Sequence, residues 1–152
     1  MKNYPSSPYL FVCFSAVLLL FTACDSSDPD ADQQDDPPMP LVIDPTLSSI
    51  QTNIFTTTCA TSQCHDSSNP ARNLDLSAGQ TFGETVNVAS IDLPDLLLIA
   101  PGKPDSSYLV WKIEGNANIE GQRMPRGTGA SPLSTTNINV IRTWITDGAL
   151  DN

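Results

Sequence analysis

Two thiols and an imidazole crowd one stretch of this 152-residue chain, Cys59-Ala60-Thr61-Ser62-Gln63-Cys64-His65, and His65 is the sole histidine. A cysteine pair whose second member directly precedes a histidine has the order of covalent haem attachment, C-x-x-C-H. There the thiols bond two vinyl groups and the imidazole reaches the iron. Here four residues separate the cysteines instead of two, so the extra pair must bulge outward if both sulfurs are to face one ring. Three other chemistries use the same residues. A Cys59–Cys64 disulfide suits an oxidising compartment, closes a small loop and leaves His65 a bystander. A zinc site needs four ligands, with a carboxylate such as Asp66 completing the set. A reactive thiol pair is the third, although no thioredoxin-like βαβ pattern surrounds it.

A second soft donor lies 59 residues beyond His65. Met124 is the one methionine of the folded region, since Met1 and Met39 precede it. It sits in the polar loop Gly121-Gln122-Arg123-Met124-Pro125-Arg126-Gly127. A methionine that fills a core normally sits on an apolar helix face. One held in a Gly/Pro/Arg loop suits an axial thioether ligand, because iron in cytochromes c commonly takes His on one side and Met on the other. Pro125 would stiffen the loop. The competing reading is a methionine filling a gap beneath it.

These groups need elements to hold them, and the patterns predict an all-α domain with long loops over residues 46–152. Asp44-Pro45 reads as a helix start, with Leu47, Ile50, Ile54 and Phe55 following at helical spacing. Ser77-Ala78-Gly79-Gln80 has the form of a capping box opening a short helix through Phe82. Asp105-Ser106-Ser107 precedes a helix from Tyr108 to Ile113, stopped by Gly115. Ser134 caps the clearest helix: Ile138, Ile141 and Ile145 form one face, Val140 and Trp144 widen it, and Gly148 ends it. So lean a core in so loopy a chain calls for a staple, and a buried haem would serve.

Residues 1–23 read as a secretory signal: Lys2, then an apolar run from Tyr9 to Ala23 that is short for a membrane span. Cys24 follows Thr22-Ala23 as the lipidated cysteine follows the cut in bacterial lipoproteins, although Phe21 stands where Leu is usual. Residues 24–45 then form a lipidated cysteine and an acidic, proline-rich tether containing Asp25, Asp28, Asp30, Asp32, Asp35 and Asp36. This predicts an exported protein, lipid-anchored to a membrane at the periplasm or cell surface. The net charge is −10, and no Lys or Arg occurs between Lys2 and Arg72. That excludes nucleic acid as an expected partner and suits a basic protein. Gly102-Lys103 is no phosphate loop, since Leu97 and Pro104 stand where Gly and Ser/Thr are needed. Asp92 and Asp95 carry no mark of an acid–base pair. Arg72, Arg123, Arg126, Tyr108 and Trp111 have tips able to meet haem carboxylates, and otherwise are surface or packing residues.

Taken together, the domain resembles a class I, single-haem cytochrome c domain in a bacterial lipoprotein. The matching pieces run in order: Cys59 to His65 after the first helix, then Asn73-Leu74-Asp75-Leu76-Ser77. Pro101 to Leu109 lies mid-domain, Arg123-Met124-Pro125 precedes the last helix, and Trp144 to Ala149 closes it. C-x4-C-H is a minority variant in that family. The resemblance, over nearly all of residues 46–150, implies one covalent haem c with thioethers at Cys59 and Cys64. It implies His65 and Met124 as iron ligands, and one-electron transfer to a redox partner protein in place of enzymatic catalysis. It also implies that the first and last helices cross, bringing together Ile54, Phe55, Ile141, Trp144 and Ile145. The alternative is a haem-free interaction domain stapled by Cys59–Cys64.

Overall fold

Helices organise the chain wherever it is described, which in this computed structural model is residues 42–152. The apolar run, Cys24 and the tether as far as residue 41 lie outside the described residues. Helix α1 opens at Leu47–Ile50 and continues as a wider π-helical stretch, Gln51–Cys59. Short helix α2 spans Thr81–Thr85, α3 Tyr108–Glu114 and α4 Thr135–Thr146. Among the described residues there is no strand beyond three isolated bridges between residues 86 and 107, and no helix long and apolar enough to cross a membrane. The domain is therefore helical, as its apolar spacing predicts.

The start of α1 differs from the expected Asp44-Pro45 cap. Thr46 is the N-cap, and its hydroxyl accepts from the Ser49 amide at 3.3 Å. The other free amides of the first turn go to the chain's last residue: Leu47 donates to Asn152 Oδ1 at 2.9 Å and Ser48 to the Asn152 carbonyl at 2.8 Å. A helix start must find such acceptors outside itself, and a partner 105 residues away leaves no local signal. The widening of α1 also has a cause. Thr52 and Asn53 bond the carbonyls of Ser48 and Ser49, and Thr57 bonds that of Asn53. Side chains that back-bond in this way compete with the helical ladder. The turn closes five residues apart, Ala60 N–H to the Phe55 carbonyl at 2.7 Å.

The expected helix from Ser77 to Phe82 forms instead at Thr81–Thr85. Asp75 Oδ1 accepts the Ser77 amide at 2.8 Å, and Ser77 Oγ accepts from Ser67 at 2.9 Å. Ser77 is thus spent on a turn and does not cap. The last two helices follow the pattern closely. Gly115 ends α3 at φ 77°, and Ser134 Oγ caps α4 by accepting from the Asn137 amide at 3.1 Å. Ile54, Phe55, Ile141, Trp144 and Ile145 do meet, in one buried cluster with Ile50, Ile99, Val110, Ile113 and Ile138. Val140 is only partly buried against it. Trp144 Nε1 donates to the Leu150 carbonyl at 2.8 Å, so the indole is buried without an orphan donor.

Candidate functional site

Beside that cluster, and sharing Leu109 with it, lies a cavity of about 700 Å³. Binding sites for small molecules and cofactors are commonly ~300–1,000 Å³. Cys59, Cys64, His65 and Met124 all line it. Cys59 is the last residue of the π-helical stretch. The chain then turns tightly: Cys64 N–H donates to the Thr61 carbonyl at 2.9 Å, and His65 N–H to the Cys59 carbonyl at 3.1 Å. The four intervening residues are taken up in this turn, which lets both cysteines reach one cavity. Both are free thiols. Burial first, and the charge of neighbouring Cys64 second, pushes the Cys59 thiol up to about 12. A thiol so placed stays protonated near neutrality and is no activated nucleophile, which counts against the reactive-pair reading.

His65 is oriented through its ring. Nδ1 lies 3.0 Å from the Leu74 carbonyl oxygen. A carbonyl only accepts, so Nδ1 carries the proton and the Nε2 lone pair is free. The same segment is tied to His65 again through the Leu76 amide, which donates to the His65 carbonyl at 2.8 Å. Backbone acceptors of this kind leave no trace in a sequence, and Leu74 is a site residue that pattern reading missed.

Met124 arrives on a loop docked against α3. Its amide donates to the Lys112 carbonyl at 2.8 Å, and Arg123 Nε donates to the Ile113 carbonyl at 2.7 Å. Gly115 makes room for this: a Cβ there would lie 2.9 Å from Arg123 Cδ. Arg123 is thus a loop anchor. The remaining walls are mostly apolar, with Leu74, Leu76, Leu98, Leu109 and exposed Ile91.

Charge on the walls is largely cationic. Arg72, Lys112 and Arg126 line the cavity with one carboxylate, Asp92. Arg72 pairs with Asp92, which also lies 3.4 Å from the Tyr108 hydroxyl. Desolvation above all, then the Arg126 and Arg72 charges, lowers the Lys112 ammonium from its ordinary value. Trp111 is spent elsewhere, its Nε1 donating to the Asp105 carbonyl at 2.6 Å. Asp66 accepts from Ser68 at 2.8 Å, and among the described residues no three His, Cys, Asp or Glu side chains gather as a metal site. The zinc reading gains no support from this arrangement. Comparison with protein-family models, curated proteins and solved structures found no match for the chain.

Proposed function

We propose that this domain is a c-type cytochrome: it holds one covalent haem and passes single electrons. One observation carries the reading. Residues 59, 64, 65 and 124 line a single cavity of cofactor size, and the His65 ring has Nδ1 committed and Nε2 free. The donor set fits the group. Two thiols would provide attachment, an oriented imidazole and a thioether would hold the iron, and leucines would provide the apolar enclosure. Bound there, haem would supply a one-electron iron couple.

The chain's own residues then have separate tasks. Cys59 and Cys64 would hold the haem through thioethers, each S–H bond adding across a vinyl group without change of overall oxidation state. The Leu74 carbonyl holds the His65 tautomer and the orientation of the ring. Lys112 and Arg123, through α3, fix where the Met124 sulfur is presented. Arg126, and Lys112 with the donors left after its 2.8 Å bond to the Glu120 carbonyl, would offer cationic partners for the carboxylates of a porphyrin, whereas Arg72 is paired with Asp92. Leu98 and Leu109 exclude water. If His65 and Met124 both held the iron, no coordination position would remain for a substrate, which suits a carrier better than an enzyme. Cys24 would anchor the protein outside the cytoplasm, and a basic redox partner protein would suit the −10 charge.

The ligand assignment is tested by Met124→Ala. The reduced wild type is expected to show a six-coordinate c-type absorption spectrum. The variant is expected to keep its haem and to bind an external ligand at the vacated position. A variant that retained the native six-coordinate spectrum would overturn the assignment of Met124.

A further inference from the structure

Gln51 is a buried amide on a helix whose neighbouring buried positions are Ile50, Ile54 and Phe55. Both of its N–H donors and its carbonyl oxygen are engaged. Nε2 donates to the Leu76 carbonyl at 2.9 Å and to Thr56 Oγ1 at 3.1 Å, and Oε1 accepts from the Thr81 hydroxyl at 2.6 Å. Thr81 is buried too. A buried amide is costly unless so satisfied, and an apolar side chain would make no such demand. What the amide adds is a link between two parts of the site: the helix ending in Cys59 and the segment Leu74–Leu76. That segment is already held by His65, through the Nδ1 bond to Leu74 and the amide bond from Leu76.

We infer that Gln51, itself held by Thr81, is a positioning residue for the His65 ring. It fixes Leu76, hence the Leu74 carbonyl, and so sets the strength of the Nδ1–H bond and the orientation of the imidazole that lines the cavity. The inference deepens the haem reading, but the ring bond exists whether or not haem is bound.

Because His65 is the sole histidine, its ring nitrogens give unambiguous signals in nitrogen-15 NMR of the full-length purified chain, read in the reduced state if haem is present. The wild type is expected to show the Nδ1–H tautomer alone, with slow solvent exchange. Gln51→Ala should speed that exchange by about tenfold or more, since a released carbonyl bonds less well. Thr81→Val removes one bond to the amide and should act in the same direction, less strongly. Should Gln51→Ala fail to fold, Thr81→Val alone decides. Ile138→Val serves as control: it loosens the main apolar cluster, of which Leu76 is not a member, and should leave ring exchange unchanged. In haem-loaded protein the Gln51→Ala midpoint potential should rise, by less than a tenfold change in the redox equilibrium constant, ~59 mV for one electron. Unchanged ring exchange in the folded variants, or equal acceleration by Ile138→Val, would overturn the inference. A chain without haem would overturn the function proposed above, and the exchange rates would still judge Gln51.

Discussion

The two flanks of this domain are packed to different standards. On one, Ile50, Ile54, Phe55, Ile99, Val110, Ile141, Trp144 and Ile145 are almost wholly excluded from solvent. On the other, Cys59, Cys64, His65, Leu74, Leu98 and Met124 are only half-buried around an open volume. Neighbouring residues divide between the two. Ile99 enters the core while Leu98 faces the cavity, and Val110 enters it while Lys112 does not. Protein interiors are close-packed as a rule, and the open volume is the part of the domain in which the proposed haem would sit. The difference teaches that the helices are built to be stable on one side and receptive on the other.

That contrast can be broken by truncation. Trp144→Ala should cost ~3–5 kcal/mol, as for a buried aromatic side chain, with the Leu150 carbonyl losing its partner as well. Leu98→Ala should cost less than the ~2 kcal/mol that marks the low end for a buried leucine when measured without haem, because its surroundings are already open. Denaturant unfolding of both variants makes the comparison, and equal losses would mean that the cavity flank is as tightly packed as the core.

The next effect concerns the start of α1. Thr46→Ala should cost ~1 kcal/mol, a typical N-cap loss, measured in the same way. A smaller loss would mean that Asn152 alone suffices to hold the first turn.

The smallest effect belongs to the site flank and depends on pH. Hydrogen bonds from the Ser77 side chain and backbone hold the Asp75 carboxyl below its usual range. A carboxyl lowered on folding contributes stability that is full above its unfolded value of ~3.9 and is lost as pH falls through the lower folded value. Asp75→Ala should therefore narrow the gap in stability between pH 7 and acid. A wild-type acid titration unaltered by this substitution would remove Asp75 from the account.

How much of this was legible in the sequence follows from the range of each interaction. Helices α3 and α4 were, because their apolar faces and closing glycines, and the Ser134 cap of α4, are local to Ser107–Gly115 and Ser134–Gly148. So were the four residues around the cavity, whose types are rare in this chain and chemically distinctive. The cap of α1 was not, because Asn152 comes from the other end of the chain. The shift of α2 from Ser77 to Thr81 turned on Asp75 and Ser67, which engage the amide and the hydroxyl of that serine. Gln51 carries no signal in the sequence, since its partner Leu76 offers only a carbonyl. Arg72 was assigned by type to a ligand or the surface, whereas its pairing with Asp92 depends on how the 86–99 loop folds back.

The measurement that bears most directly on the whole account is the intact mass of the full chain, made in a host able to mature c-type cytochromes and then denatured with reductant. The account predicts a mass raised by one haem, and loss of that addition when Cys59 and Cys64 are both replaced by serine. A bare polypeptide mass would contradict it, and a gain of two hydrogens on reduction would favour the Cys59–Cys64 disulfide instead.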